Sequence, residues 1–567
     1  MRATPQGPAI PTAPNLDRTL NAQTSGGSAI QADGVFGWTT STGKLGTVAD
    51  IKEDLVVAGI LHDDSAFSPV VPDSGAAFVF SDELLTPFSV KLVGTEVASP
   101  GTPDHANDHL GQLGNVVGDT RGTVSSPNSN LIFLGAFLRD ITYTCGSPPA
   151  TNAVADQGAV VMFDLNAAVP TQPKIITVPN DPGSPDCYPK DVKGLGHGLT
   201  VGDVDGDGRN DIIAGAHSSD MHQKGRVYIF FGRDDFFTNP TTTNSPGNHW
   251  LALKPPTDAT MGEQFGIIVA AADLDHDTQA PNAKELIISA TQRDRSTGRV
   301  YIIRGATIAQ WKAALTAAPS AANIKQLGVN DFQRFGQGTG IGDVFGWQVT
   351  IGHFRGSDND LDLAIYSENE ITSGAEVTST CGSGCGEQLN GIGKYNAFPG
   401  ALYIYQNVSS INPPSSGSPP VFVDTSAWSA TNPTGFVKMT SPFPDNDFAP
   451  RARFGRASAV VNWKYTDGTT KNCLLIGEPG AYNHGSCQTG KVWLYELPIL
   501  PDPNGISPVP NWFLQSPNAE GCSHFGASIT ALRYDTAGVG QQFAISGREE
   551  TVNARKRAGR VYTYKAP

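Results

Sequence analysis

The sequence has little charge, little methionine and no long apolar run. Charged residues make up 16% of the chain and Met occurs five times, which argues against a helical protein with a Met-lined groove. No stretch of about 18 apolar residues is present, so a membrane-spanning helix is excluded. Acidic residues outnumber basic residues by 54 to 39, and the net charge of −15 excludes a general nucleic-acid binder, because nothing neutralises phosphates in bulk.

Turn-forming residues are abundant instead. The 567 residues include 63 Gly and 41 Pro, with hydrophobic residues at 39%. This composition favours many short strands joined by turns. The length predicts roughly two to four domains or one large repeat architecture.

The cysteines and the N-terminus bear on the compartment. The first residues, MRATPQGPAIPTAP, contain no apolar segment of a signal peptide, so the chain is either cytoplasmic or numbered after removal of a leader. The segment CGSGC at 381–385 favours local disulfides, with free thiols and zinc as alternatives, although no second Cys pair with a nearby His completes four zinc ligands. The odd cysteine count leaves at least one thiol free. The cysteines occupy positions 145, 187, 381, 385, 473, 487 and 522.

A Phe-Gly or Leu-Gly pair recurs seven times. Most pairs are followed by an apolar run that ends in small residues and then by a Gly-x-Val-Tyr-like run, as in DIIAGA (211–216) and GRVYIF (225–230). These runs alternate or are rich in β-branched and aromatic residues, which is typical of strands. The pairs begin at Phe36, Leu110, Leu195, Phe265, Phe345, Phe454 and Phe525.

A fourth apolar stretch separates each unit from the next pair. These stretches are FSVKLV, KIITV, HWLALK, NIKQLG, GFVKM and NWFLQ. Seven units of four short strands predict an all-β fold, a seven-bladed β-propeller of four-stranded antiparallel blades. Two stacked β-sandwiches are the alternative, but they do not explain seven anchors.

The last unit is incomplete. The chain ends on its third strand, 43 residues after the final pair begins, while the first 35 residues contain the short stretches DRTLNAQ and SGGSAIQ. We therefore predict that residues 1–35 supply the missing strand and close the ring, and that residues 36–567 form the propeller.

The third unit contains the clearest chemical signal, VGDVDGDGRNDIIAGA at 201–216. Four carboxylates at positions 1, 3, 5 and 9 of one loop repel one another unless a hard cation lies among them, and oxygen ligands at this spacing suit Ca²⁺. The loop is not an EF-hand, because position 12 is Ala214 and the flanks are strand-like. A solvated Asp/Gly turn is the alternative. The predicted ligands are Asp203, Asp205, Asp207, Asp211 and the carbonyl of Arg209.

The later units repeat this loop with decreasing fidelity. In the fourth unit, AADLDHDTQAPNAKELIISA (271–290), the predicted calcium ligands are Asp273, Asp275, Asp277 and Glu285, with Glu285 in the place of Asp211. In the fifth unit His353 replaces the first Asp, so a solvated turn and a calcium site are about equally favoured there. The sixth and seventh units have lost the carboxylates.

Together, the Phe-Gly pairs, the Asp-rich loop and the Gly-Ala pair resemble FG-GAP repeats, which build the propeller of integrin α subunits and occur in many bacterial surface proteins. The resemblance spans essentially 34–567 and is most specific in 195–232 and 265–303. It implies Ca²⁺ as the bound ion and an extracellular, cell-surface or periplasmic location. Without sandwich domains or a membrane anchor, the chain is expected to be a free-standing propeller.

No catalytic motif is visible. The sequence lacks HExxH, a P-loop and a GxSxG elbow after a strand, and the neighbours His217-Ser218 and Ser523-His524 are best explained as loop polarity. We therefore expect no enzymatic activity.

Strand parity predicts where a partner binds. The connections between second and third strands share a face opposite the calcium loops, and long insertions at 139–157 and 367–399 fall there. The favoured function is a calcium-stabilised binding or scaffold protein, an adhesion or assembly component with a protein or glycan partner. The alternative is a propeller enzyme, a polysaccharide lyase or hydrolase, with its site at the central pore.

Overall fold

The fold is known from a computed structural model that covers most of the strands and their short connections. The described residues are 11, 13–21, 35–43, 45, 54–58, 75–80, 89–92, 108–122, 131–145, 150–164, 173–182, 189, 191–220, 223–242, 245–257, 259, 261–274, 283–292, 297–328, 331–336, 344–354, 361–368, 376–377, 395–396, 400–405, 422–424, 436–442, 452–481, 489–499, 508–518, 523–532, 542–554 and 556–565.

Strands dominate these residues. The first strands in chain order are β1 (Asn15–Leu20), β2 (Thr39–Gly43), β3 (Asp54–Ala58), β4 (Ala77–Phe80), β5 (Ser89–Leu92), β6 (Asn115–Gly118), β7 (Leu131–Ala136), β8 (Ile141–Cys145), β9 (Ala150–Val154), β10 (Ala159–Phe163), β11 (Lys174–Ile176), β12 (Leu195–Gly202), β13 (Asp211–Ala216), β14 (Arg226–Phe230), β15 (Trp250–Lys254), β16 (Phe265–Ala272) and β17 (Glu285–Ala290).

The remaining strands are β18 (Arg299–Ile303), β19 (Ile324–Gln326), β20 (Gln333–Gly336), β21 (Phe345–Gly352), β22 (Asp362–Ser367), β23 (Glu376–Val377), β24 (Tyr395–Asn396), β25 (Ala401–Tyr405), β26 (Phe422–Asp424), β27 (Phe436–Thr440), β28 (Ser458–Lys464), β29 (Thr470–Glu478), β30 (Lys491–Glu496), β31 (Trp512–Leu514), β32 (Phe525–Leu532), β33 (Gln542–Gly547) and β34 (Arg560–Lys565). The helices are α1 (Gly305–Ala313) and the 3₁₀ turns Gly247–His249 and Ala321–Asn323.

Seven sheets of successive antiparallel strands form the blades. Their orders are β2-β3-β4-β5, β6-β7-β10-β11, β12-β13-β14-β15, β16-β17-β18-β20, β21-β22-β25-β27, β28-β29-β30-β31 and β32-β33-β34-β1. The first strand of each blade contacts the first strand of the next, and β32 contacts β2. The predicted all-β, seven-bladed propeller is therefore confirmed, with the first strands around the central channel.

One predicted fourth strand was wrong. NIKQLG was expected to complete the fourth blade, but β19 pairs in parallel with β15 of the third blade, and β20 takes the fourth position instead. After β18 the chain forms α1 rather than a tight turn, so it returns along the outer edge of the neighbouring blade. In the same way β26 pairs in parallel with β20, which gives the third and fourth blades a fifth strand each.

The Phe-Gly pairs pack between blades. Phe265 is fully buried and packs with Val227 and Ile229 of the preceding blade. Gly225, just before β14, has φ +88° and forms a parallel bridge with Phe265, and a Cβ at Gly225 would lie 2.2 Å from the Phe265 carbonyl oxygen. Glycine is needed there because the backbones of two blades meet directly.

The N-terminal strand lies beside the last strand of the seventh blade. β1 pairs antiparallel with β34, with Leu16 opposite Tyr564 and Leu20 opposite Val561. The Lys565 ammonium lies 2.9 Å from Oδ1 of Asp17. Closure of the ring by residues 1–35 stays a prediction, and its test is given in the Discussion.

The two long insertions fall between second and third strands. The β8–β9 hairpin lies between β7 and β10, and β23 and β24 lie between β22 and β25. Cys381 and Cys385 lie outside the described residues, so the predicted disulfides stay a prediction. Among the cysteines whose side chains are described, Cys473 is a buried free thiol.

Candidate metal centre

The Asp-rich loop of residues 203–210 joins β12 to β13 at the channel. Gly202 and Asp211 face each other across the two strands and hold the ends of the loop together. Gly206 and Gly208 have φ of +77° and +85°, so the backbone turns tightly between them. The loop therefore brings side chains from both of its ends toward one point.

Three carboxylates converge there. Asp203, Asp205 and Asp211 each offer an oxygen, these oxygens lie within 4.8 Å of one another, and all three residues are buried. The backbone N–H groups of Gly206 and Gly208 donate to Oδ1 and Oδ2 of Asp203 at 2.7 and 2.8 Å. Because a carboxylate oxygen has a second lone pair, these bonds orient the acid and leave it able to coordinate a cation.

The electrostatics of the cluster favour a bound cation. Burial raises the pKa of Asp203 to about 6, against the backbone hydrogen bonds from Gly208 and Gly206 that lower it. Burial and then the charge of Asp205 raise the pKa of Asp211 well above its usual value. Three buried anions at this separation are unfavourable alone, and an oxygen-only donor set fits Ca²⁺.

Asp207 and Arg209 lie further out. Asp207 is not part of the three-carboxylate cluster, and its side chain is 36% exposed. The Arg209 guanidinium donates to the Arg121 carbonyl at 2.8 Å and pairs with Asp234. The predicted ligand roles of Asp207 and of the Arg209 carbonyl stay predictions.

The sequence analysis missed Lys312, on α1. Its ammonium contacts Asp205, lies 2.7 Å from Oδ2 of Asp207, and stands 4.6 Å from the centre of the Phe231 ring. Burial lowers the pKa of Lys312, but the charge and hydrogen bond of Asp205 outweigh it, so the net shift is upward. Lys312 is 105 positions from Asp207, and no local pattern indicates the contact.

The fourth blade repeats part of this arrangement. Glu285 pairs with Ala272 as Asp211 pairs with Gly202, so the predicted equivalence of the two acids is correct. The Leu274 N–H donates to Oε2 of Glu285 at 2.6 Å. Asp275 and Asp277 lie outside the described residues, so the second calcium site stays a prediction.

The acid at the start of the second strand has a structural role of its own. In the third, fourth and fifth blades it is buried and accepts a backbone N–H from the preceding loop. The donor and acceptor pairs are Val204 to Asp211, Leu274 to Glu285 and Phe354 to Asp362. These acids therefore shape the loop in addition to any ligand role.

Comparison with known families agrees with this geometry. Residues 195–230, which include the whole loop, match the family model of the FG-GAP repeat. The chain is a seven-bladed propeller whose third blade contains an FG-GAP repeat. A comparison with curated proteins finds no match. Within the described part of the propeller, no helix is long and apolar enough to cross a membrane.

The Ser/His neighbours noted in the sequence are not arranged for nucleophilic catalysis. The Ser523 hydroxyl donates to the Thr489 carbonyl, while Nδ1 of His524 lies 2.8 Å from Oε1 of Glu549. His217 packs against His197, with 4.2 Å between the ring centres. Burial lowers the pKa of His197 to about 3 and that of His217 to about 4, so both rings are neutral at physiological pH.

Proposed function

We propose that this protein is a calcium-stabilised binding or scaffold protein that acts outside the cell or at its surface, as an adhesion or assembly component for a protein or glycan partner. The observation that carries the proposal is the convergence of Asp203, Asp205 and Asp211 at one end of a strand pair within the ring of seven blades. A divalent cation there would stabilise the fold by neutralising buried charge. It would leave the opposite face available for binding.

The face opposite the metal loops is the proposed docking face. It carries the β8–β9 hairpin and the 367–399 insertion, both of which connect second to third strands. Long loops on a rigid scaffold are common recognition surfaces. The metal face, in contrast, carries the loop held by Asp203 and Asp211.

We place binding ahead of the alternative, a lyase or hydrolase at the pore. The Ser523 hydroxyl is hydrogen-bonded to a backbone carbonyl. Although burial raises the pKa of Glu549, the hydrogen bond and charge of His524 lower it to about 2, so this carboxylate stays ionised and is a poor proton donor. Ser523 and Glu549 are therefore poorly suited to act as a nucleophile and a general acid, which favours binding over catalysis.

Melting with and without calcium tests the metal role. A cation that binds only the folded state adds about 2.7 kcal/mol at a hundredfold excess over Kd, so EGTA should lower the Tm. Asp205→Ala should remove most of this difference. Asp467→Ala is the matched control, because Asp467 lies in the exposed turn of the sixth blade. An equal calcium response in both variants would contradict the assignment.

Capture of a partner tests the docking face. The immobilised protein is incubated with the envelope fraction of its source cells, with calcium or with EGTA. Replacing 372–394 with a short Gly-Ser linker should preserve calcium-dependent melting and weaken capture. Asp467→Lys, on the metal face, is the control. If only the Asp467→Lys variant loses capture, the partner docks on the metal face instead.

A further inference from the structure

Arginines cluster around the end of the central channel that lies opposite the metal loops. Arg456 directly follows the Phe454-Gly455 pair, and Arg548 directly follows β33. These positions meet at the channel because the start of a first strand lies beside the end of the second strand, as Phe525 lies opposite Gly547. We call Arg453, Arg456 and Arg548 the channel-mouth arginines.

The nearby glutamates are engaged by other cations. Oε1 of Glu368 lies 3.2 Å from Nε of Arg453. Nδ1 of His524 lies 2.8 Å from Oε1 of Glu549, and Nε of Arg557 lies 3.1 Å from its Oε2. Both acids of the cluster therefore already have a close cationic partner.

The other two guanidinium groups are paired less closely. Arg548 forms one long ion pair, and neither group donates a side-chain hydrogen bond among the described residues. Arg548 is 6% exposed, its Nε makes no hydrogen bond, and its distance to Glu549 Oε1 is 3.7 Å. Among the described residues, Arg456 forms no side-chain ion pair or hydrogen bond. Burial lowers the pKa of both groups, and Arg456 adds to the effect on Arg548. A buried guanidinium with only a long ion pair, such as that of Arg548, is costly, and an anion bound between it and the half-buried Arg456 would offset that cost.

Two tryptophans line the same opening. The Arg548 guanidinium stands 4.2 Å from the centre of the Trp38 ring, and that of Arg456 stands 5.5 Å from the Trp347 ring. Both indoles are half-buried, so part of each surface faces the opening. Such amphipathic rings pack on the apolar C–H face of a sugar ring, while the guanidinium fork matches a carboxylate.

We propose that the channel mouth binds the carboxylate of an acidic sugar residue, with Arg456 and Arg548 as its ligands and Trp38 and Trp347 against the ring. A doubly charged phosphate fits less well, because Glu368 and Glu549 would repel it more strongly. An acidic side chain of a protein partner would bind the arginines but would leave the exposed part of both indole rings without a packing partner. The inference rests on the proposed binding role of this face and gives its ligand a chemical class.

The first test compares small ligands in calcium-containing buffer, so that the fold is constant. Titration calorimetry with glucuronate should show binding at least tenfold tighter than with glucose, which has the same ring without the carboxylate. N-acetyl-aspartate and inorganic phosphate are the other probes. Equal binding of glucose would overturn the carboxylate assignment. Equal binding of N-acetyl-aspartate or of phosphate would overturn the sugar assignment.

The second test removes the arginines. Arg456→Gln and Arg548→Gln should each weaken glucuronate binding at least tenfold, and Arg548→Lys should weaken it less, because charge is retained and the fork is lost. Arg18→Gln, on the outer strand β1, is the control and should bind as the wild type does. Unchanged binding in both glutamine variants would overturn the proposal. If both glutamine variants fail to fold, alkylation of the tryptophans in the wild-type protein is the decisive measurement. The treated protein should lose glucuronate binding while its Tm still depends on calcium. Unchanged glucuronate binding after alkylation would overturn the proposal.

The two proposals can fail separately. Absent glucuronate binding, with calcium-dependent melting and envelope capture intact, overturns only the ligand class. Glucuronate binding without any calcium effect on the Tm supports the ligand class and overturns the metal role.

Discussion

The ammonium of Lys312 lies 2.7 Å from Oδ2 of Asp207, so a residue from the fourth blade neutralises the metal loop of the third. The same ammonium contacts Asp205, which belongs to the three-carboxylate cluster. An internal cation and a calcium ion would therefore compete for the same oxygens.

We expect Lys312→Met to bind calcium roughly tenfold more tightly than the wild type, because the competing ammonium is gone. Without calcium the variant should be less stable by about 1–2 kcal/mol, since the acids lose their cation. Calcium titration by calorimetry and denaturant unfolding in EGTA measure the two effects. Lys325→Met is the control, because Lys325 pairs with Asp331. Weaker calcium binding in Lys312→Met would show that the ammonium does not compete.

Gly225→Ala should destabilise the propeller by about 2–4 kcal/mol. The added Cβ would lie 2.2 Å from the Phe265 carbonyl oxygen, so the third and fourth blades must separate. Gly262→Ala is the matched control: its φ is also positive, at +73°, but nothing lies within 4 Å, so about 1 kcal/mol is expected. Urea unfolding compares them, and equal losses would contradict the close contact between blades.

Stability should fall as the pH rises from about 4.5 to 7 because of Glu478. Burial raises the pKa of this carboxyl to about 7, against the hydrogen bond from Nε1 of Trp493. Between these pH values the folded chain holds a proton that the unfolded chain releases, so ionisation favours unfolding.

Glu478→Gln should flatten this part of the pH profile and make the protein more stable than the wild type at pH 8, by up to about 3 kcal/mol. Glu496→Gln, at a half-exposed site on the same blade, should leave the slope unchanged. Unfolding free energies measured from pH 4 to 8 provide the comparison. If the Glu478→Gln variant shows the same slope of unfolding free energy against pH as the wild type, Glu478 is not the cause of that slope.

The pairing of β1 with β34 predicts different costs for two leucines of one strand. Leu20 is buried against Phe36 and Val561, whereas Leu16 is 46% exposed. If the N-terminus closes the ring, Leu20→Ala should cost about 2–4 kcal/mol and Leu16→Ala less than about 0.5 kcal/mol. Thermal unfolding measures both, and small, equal effects would mean that residues 1–35 do not stabilise the ring.

The sequence alone determined most of the blade strands, their grouping into seven units and the ends of the Asp-rich loop. These features depend on contacts between neighbours in the chain. The spacing from Asp203 to Asp211 is a property of nine consecutive residues, and the Phe-Gly pairs repeat because each blade meets the next in the same way.

The tertiary structure decided the contacts that depend on how the seven blades are arranged. It moved NIKQLG to the edge of the third blade, placed Lys312 on the metal loop, and brought Arg456 and Arg548 to one opening. Pairs such as Arg548 with Trp38 lie at opposite ends of the sequence. They meet because the ring brings the last blade back to the first, and a local pattern carries no information about a contact that ring closure creates.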